Sequence, residues 1–490
     1  MSSRLLSDQR TALGLAHAYA GSADWQSAVS RIGNPQRFDS SDVLPTDSRR
    51  YSRLATCARV CAPSMKATGR LVLVLMFLIV FGVLWGESAL GAEGAQPRTP
   101  AAGVVDPKLS GVVSQIWPQD QITLGQKFLF SYLAAFMFFL SICLGSLFLV
   151  LLHHLFDASW SVPTRRFLEH IASSVWVLGL MFLPILAFGH RVYRWMNIDP
   201  HADHALQAKS ILFNRPTWTV ISIALFGIWW LLASRLRAHS LAQDKDGAAS
   251  HTYAMRKWAA GGIFVFALTL TLGAIFWMKS LQHAWFSTMY GVYYFAASNW
   301  TAVATAYVIM LYLKKTGPLR DVIHKRQIHD MGVLFFAFTV FYAYIHFSQY
   351  FLIWNAAIPE ETFWYVIREN GSWWDVGMLI VFGHFFLPFL MLLRIDAKLS
   401  ATIMVPMGIW AWLMHYVEMQ FNVMPALYPQ GMSFHIFDVI CFTGIGFVLY
   451  TVFKKAFAAH APYPIRDPRL KEALTHHEIK AASPVAIDTH

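Results

Sequence analysis

Residues 125–152 read GQKFLFSYLAAFMFFLSICLGSLFLVLL, and the single charged side chain among them, Lys127, stands near one end. A run of about 20 apolar residues is what a helix needs to cross roughly 30 Å of hydrocarbon. The stretch lacks the alternation of a membrane-barrel strand. In lipid its backbone must satisfy its own polar groups, which a helix does. Working outward, comparable runs fall at about 70–86, 168–189, 216–234, 258–278, 286–313, 331–354, 375–393, 400–420 and 434–453. The reading is an all-α polytopic membrane protein with about ten transmembrane helices.

Composition agrees. Of 490 residues, 56% are hydrophobic and 14% charged, and the mean hydropathy is +0.43. Soluble domains carry about 25% charged residues, so an ordinary soluble enzyme is excluded. The net charge of +11 does not indicate nucleic-acid binding, because the basic residues sit at the ends of apolar runs rather than in one patch. The four cysteines, Cys57, Cys61, Cys143 and Cys441, form no C-x-x-C-H and no cluster for an iron–sulfur centre. Any redox centres used with this chain therefore belong to partners.

With the N-terminus in the cytoplasm and ten alternating spans, the inner connections and C-terminal tail carry twenty Lys and Arg, and the outer connections eight. That asymmetry is the positive-inside pattern, and it predicts a multi-pass membrane protein with both termini in the cytoplasm. The expected organisation is a polar N-terminal extension over 1–64, either untranslated or without fixed structure, because Met65, Lys66 and Arg70 lead directly into an apolar run. A hydrophobic helix follows over 65–92, anchor or signal-like, with small residues at 88–92. Then come an extracytoplasmic linker (93–123), a first helix bundle (124–279), a second (280–420), a last helix (421–456) and a cytoplasmic tail (457–490).

Ionisable groups at membrane depth are costly and are functional candidates by default. The plainer alternative is a hydrogen-bonded residue tying two helices together. Tyr342, His346 and Gln349 fall at i, i+4 and i+7, with Tyr350 beside them. Such a stripe suits a quinone headgroup, a cavity or a proton relay. His384 stands mid-span, and His415 with Glu418 and His435 with Asp438 are each spaced i, i+3. Carboxylate–imidazole pairs on one helix face can pass protons. Glu169, beside His170, is a candidate for the mouth of another relay. Haem b is the alternative use of these histidines, since it takes two axial histidines on facing helices. No metal site is expected from the sequence.

Several stretches carry a resemblance: SLAQDKDG (240–247), FWMKSLQHAWFSTMYGVYYFAAS (276–298), IHDMG (328–332), FSQYFLIWNAAIPEET (347–362) and HYVEM (415–419). Over about 68–455 the chain resembles the ActF-type, NrfD/PsrC-like membrane subunit of alternative complex III, a bacterial quinol:cytochrome c oxidoreductase. The resemblance implies two four-helix bundles plus one flanking helix at each end, the first of them a retained anchor. By it, Ser348, Gln349, Trp354, Pro359, Glu360 and Glu361 match the signature segment, Ser287, Tyr290, His329 and Asp330 the neighbouring motifs, and His415 and Glu418 the ninth-helix pair. The sequence departs from the family at Phe276 and Gln282, where acids are common, and at His346, where the family has a bulky apolar or aromatic residue.

The implied partners are a sister NrfD-like subunit, an iron–sulfur subunit and haem c subunits, which would hold all the haem and iron–sulfur groups. The implied cofactor is a quinone, menaquinone or ubiquinone, bound without covalent attachment. The implied role is support of quinol oxidation and proton translocation by a chain that is not catalytic alone. Two other classes fit the same chain. One is a structural or proton-conducting subunit without a quinone site. The other is a secondary transporter, against which no Gly/Pro-broken helix pair stands at matching positions.

Overall fold

The structure, a computed structural model, describes residues 116–118 and 122–475. The expectations for 1–64 and 65–92, for most of the linker 93–123 and for the end of the tail lie outside the described residues. The described residues belong to one compact unit, Ser64–His490, and all their regular elements are helices.

In chain order the principal helices are α1 (Leu124–Leu155), α2 (Val162–Ser173), α3 (Val175–Met181), α4 (Leu183–Val192), α5 (Arg215–Asp246) and α6 (Ala249–Trp277). They continue with α7 (Tyr290–Thr316), α8 (Lys325–Ala356), α9 (Pro359–Arg368) and α10 (Ser372–Leu392, with a π-helical stretch at Val381–Phe386). The last are α11 (Ala401–Val423), α12 (Ile436–Ala458) and α13 (Leu470–Thr475). Seven of them, α1, α5, α6, α7, α8, α10 and α12, are long and apolar enough to cross a membrane. The pair Ser159–Met181 and Leu183–Val192, bent by 56°, makes an eighth if counted as one span. Pro184 sits in the first turn after that bend; it lacks the N–H that would continue the ladder and crowds the preceding turn. Of the expected runs, 400–420 corresponds to α11, a 23-residue helix that is not among the seven because its tryptophans, His415 and Glu418 lower its hydropathy.

Local chemistry fixes the ends. Thr123 and Gln126 cap α1 reciprocally, satisfying two otherwise orphaned donors. Asn214 caps α5, which stops at Gly247 in the left-handed conformation (φ 72°), where a side chain is disfavoured.

Helix α1 is apolar all round, and 89% of its most apolar window is buried, as expected of a helix enclosed by others. It packs on α2, α6, α7, α11 and α12. Helix α7 packs in turn on α1, α6, α8 and α11, and α10 lies against α8 and α11. Gly145 makes the α1–α7 crossing possible, since a Cβ there would collide with the backbone of Ser298 and the methyl of Ala302. Small residues let membrane helices approach to backbone contact. The last span, α12, has only 17% of its window buried, so most of it faces outward.

Residues 459–475 fold back across the end of the bundle where α1 and α5 finish and α2 and α8 begin. Asp467 pairs with Arg165 there, Arg469 Nη1 lies 3.0 Å from Asp157 Oδ1, and Gln327 Nε2 donates to Ala473 O at 3.1 Å.

Candidate functional site

The centre of the bundle holds a carboxylate between two imidazoles. Glu418 and His415 face the same side of α11, and His415 Nδ1 stands 2.8 Å from Glu418 Oε2. His384 comes from α10, with Nε2 3.3 Å from the same oxygen. All three side chains are fully buried. The other ring nitrogen of His415, Nε2, lies 2.8 Å from Ser141 Oγ on α1. Three helices thus contribute to one buried polar chain.

His384 owes its position to the π-helical stretch Val381–Phe386. A π turn inserts an extra residue into the α ladder and redirects the side chains around it. The indole of Trp410 donates to Gly383 O at 2.7 Å, satisfying a carbonyl beside the distortion. The His384 ring lies between Trp300 and Tyr342, with ring centroids 3.7 Å away on each side. Both faces being covered, it can turn only within its plane.

Beside this cluster lies a cavity of about 350 Å3. Its walls include Tyr342, His346 and Tyr350 of α8, Tyr365 and Arg368 of α9, and Phe385 of α10. A volume of this order, with aromatic walls and a few polar groups, is typical of a small-molecule site. Gln349 stands behind the wall, donating from Nε2 to Tyr365 Oη at 3.0 Å and accepting from Ser287 Oγ at 2.8 Å. Tyr350 donates to Glu369 at 3.2 Å. Tyr342 joins the cavity to the buried cluster, because it stacks on His384 and its hydroxyl is 3.3 Å from His346 Nδ1.

Arg368 is buried, and no carboxylate oxygen among the described residues pairs with it. It donates to the carbonyls of Phe421 (3.0 Å), Asn422 (3.0 Å) and Trp364 (2.9 Å) and to Gln282 Oε1 (3.2 Å). Its guanidinium also stacks over Trp364, 3.4 Å from the ring centroid. A cation held by neutral dipoles keeps a positive potential at the cavity wall. Asn422 links back towards the triad by donating to Glu418 O at 2.9 Å and to Tyr293 Oη at 3.0 Å, while Tyr290 donates to its Oδ1 at 3.0 Å.

The structure therefore gathers Tyr342, His346, Gln349, Tyr350, His384, His415, Glu418, Ser287 and Tyr290 into one region. The other expected residues lie elsewhere. Glu169 is buried near the opposite end, held by Arg165 (3.0 Å) and Arg166 (3.4 Å). His435 and Asp438 do not pair side chain to side chain. Instead Asp438 Oδ2 accepts from the His435 backbone N–H at 2.8 Å, and His435 Nδ1 accepts from Phe437 N at 3.3 Å. The two residues cap α12, and Asp438 Oδ1 also takes a hydrogen bond from Gln420 at 3.1 Å. His329 and Asp330 are partly exposed, 3.5 Å apart. Trp354 and Glu360 are exposed, and Ser348 and Glu361 partly so. Pro359 opens α9, and the Glu361 carbonyl accepts from the Trp285 indole at 2.9 Å.

Sequence reasoning missed Arg368, Tyr365, Ser141, Trp300, Tyr293 and Asn422. Only Arg368 carried a usable signal, a lone cation following the aromatic stretch FWYVI (363–367).

Lys279 and Asp467, both outside the spans, are electrostatically unusual. Burial, with a contribution from nearby Lys209, pushes Lys279 down to about 7. Burial alone would raise Asp467, but the Arg165 and Arg469 guanidinium groups override it and hold the carboxyl well below the usual range.

No protein-family model and no curated protein matches this sequence.

Proposed function

We propose that this chain is an integral membrane subunit of a respiratory quinol:cytochrome c, or quinol:acceptor, oxidoreductase, of the ActF type within the NrfD/PsrC-like proteins. In this reading it lies in the bacterial cytoplasmic membrane with both termini inside and about ten spans forming two four-helix bundles. It works beside a sister subunit of the same fold and with iron–sulfur and haem c subunits. The helices long and apolar enough to span a membrane fit an integral membrane protein. One observation supports the finer reading: a cavity of about 350 Å3 adjoins, across the single side chain of Tyr342, a buried His–Glu–His cluster.

A quinol bound in the cavity supplies electrons to acceptors on the partner subunits and releases its hydroxyl protons. The protein's part is then to orient the headgroup and take up the protons. Tyr350, Tyr365 and His346 offer hydrogen bonds at the wall. His346 is the cavity base within reach of the Tyr342 hydroxyl, and beyond Tyr342 lie His384, Glu418 and His415 as successive proton holders. Arg368 favours electron-rich oxygen at the wall and disfavours a second cation there.

The test is photolabelling of the intact complex with an azido-quinone. The expected result is label on peptides spanning 342–369, lost in a His346→Ala/Gln349→Ala double variant together with quinol turnover. Label confined to other subunits, with turnover unchanged in that variant, would overturn the quinone site. It would favour the second reading, a proton-conducting subunit, for which the Ser141–His415–Glu418–His384 cluster suffices by itself.

A further inference from the structure

The same three buried side chains have a property that a proton relay does not require. In a hydrogen-bonded chain, donors and acceptors line up one after another. Here two nitrogen atoms address one oxygen: His415 Nδ1 at 2.8 Å and His384 Nε2 at 3.3 Å from Glu418 Oε2. The three ligand atoms all lie within 4.8 Å of one another. Among the described residues, neither His384 nitrogen nor Glu418 Oε1, all three buried, has a hydrogen bond of good geometry; His384 Nε2 keeps only its 3.3 Å approach to the carboxylate. Buried polar atoms without partners are rare and call for an explanation.

Two imidazoles and a carboxylate are a catalytic-type zinc ligand set, with bonds of about 2.0–2.2 Å that leave a fourth position open. Ligands at that range around a tetrahedral ion stand roughly 3.3 Å apart, which the His384 Nε2–Glu418 Oε2 separation already matches and which the 2.8 Å His415 contact reaches by opening about half an ångström. The surroundings also suit a metal. His415 turns its second nitrogen onto Ser141 Oγ at 2.8 Å, the kind of outer contact that fixes a ligating imidazole. Trp300 and Tyr342 hold the plane of His384. Met414 and Trp410 close on Gly383, so the π turn that presents His384 is itself packed in place.

We infer that His384, His415 and Glu418 form a binding site for a divalent transition-metal ion of the zinc type. Binding requires neutral imidazoles and an ionised carboxylate, so the ion competes with protons for all three groups. Zinc and proton transfer through this cluster are then mutually exclusive. The inference does not depend on what the complex oxidises.

The experiment uses the full chain, purified in detergent in a His239→Ala/His251→Ala background. Those two imidazoles lie 3.2 Å apart near Asp246 and are an obvious accidental site nearer the surface. The protein is equilibrated with Zn2+, passed over a chelating resin, and its metal content and X-ray absorption spectrum are recorded. The expected result is one retained zinc with imidazole scattering from two histidines, lost in Glu418→Gln and separately in His384→Gln. Both variants are checked for an unchanged elution profile and helical circular dichroism. If either variant misfolds, Ser141→Ala, which leaves all three ligands in place, serves as the second measurement and must weaken retention by about tenfold or more. Retention equal in wild type and folded variants, a spectrum without imidazole scattering, or no zinc retained by the wild type would each overturn the assignment.

Discussion

Tyr342 lies flat against His384, ring centroids 3.7 Å apart at an interplanar angle of 21°, and the same tyrosine forms part of the cavity wall. One side chain therefore stands between the cavity and the buried His–Glu–His cluster. Tyr342→Phe keeps the ring and removes only the hydroxyl near His346. It is expected to leave thermal stability within about 1 kcal/mol while lowering quinol turnover at least tenfold. Tyr342→Ala removes the ring and is expected to cost about 3–5 kcal/mol. Thermal melts alongside turnover assays separate the two effects.

Glu418→Gln retains the shape of the side chain and removes its charge. If the cluster carries protons, the exchange lowers proton-coupled activity by about 10²-fold or more. Proton uptake or release in reconstituted liposomes, read with a pH dye, checks this. An unchanged proton yield per quinol would exclude Glu418 from the path.

Gly145 permits the α1–α7 crossing, and any larger residue must push Ser298 away. Gly145→Val is expected to lower stability by about 3 kcal/mol or more and to reduce the amount of folded protein in membranes. Gly227, which has nothing within 4 Å of an added Cβ, is the control; Gly227→Ala should be silent or mildly stabilising.

Lys279 has a depressed folded-state value of about 7, below the roughly 10.4 of a free lysine. Between those values the unfolded chain binds more protons than the folded one, so stability rises with pH from about 7 to about 10. Lys279→Met is expected to raise stability at neutral pH by about 2–4 kcal/mol and to flatten that rise. Melting temperatures between pH 6 and 10 provide the check. A mutant with the wild-type pH slope would show that another group is responsible.

Asp467 behaves in the opposite sense. Its carboxyl is held below the ordinary range by Arg165 and Arg469, so its contribution is complete above about pH 4 and lost as the pH falls through the lower folded-state value. Asp467→Asn leaves Arg165 buried without that partner and is expected to cost about 3–5 kcal/mol. Residues 459–475 should then become a site of limited proteolysis, detectable as a truncated band at neutral pH.

How much of this was legible beforehand follows from where each contact is made. The stripe Tyr342, His346, Gln349 and the pair His415, Glu418 were readable because one helix sets their spacing, and helical period is present in sequence. His384 was readable as a buried polar residue, but its meeting with Glu418 depends on how α10 packs against α11 and on a π turn that no spacing rule announces. His435 and Asp438 have the same i, i+3 spacing as His415 and Glu418 and a different fate. They stand at a helix N-terminus, where free backbone N–H groups compete for the carboxylate and take it. Glu169 read with His170 as the mouth of a relay because Arg165 and Arg166, its partners within one turn, were counted among the charges that orient the chain. Arg368 was hidden likewise, as one cation of an outer connection. Its burial follows from α9 folding back beneath the ends of α8 and α11, a tertiary event. Ser141, in an apolar helix, had nothing to distinguish it from the other serines of α1.

Helix α11 has a consequence for how the protein is made. Its interior face carries an acid and an imidazole, and the helix is not among the seven apolar enough to cross a membrane. A carboxylate at mid-membrane costs about 2.5–3.5 kcal/mol when a helix enters lipid alone. The segment is therefore a poor insertion signal in isolation. Because α7 and α10 precede it in the chain, they are already made when α11 emerges, and α11 is expected to leave the insertion pathway by packing on them rather than by entering lipid alone. The residues that would do the chemistry thus make the insertion of the site's central helix depend on neighbours already in place.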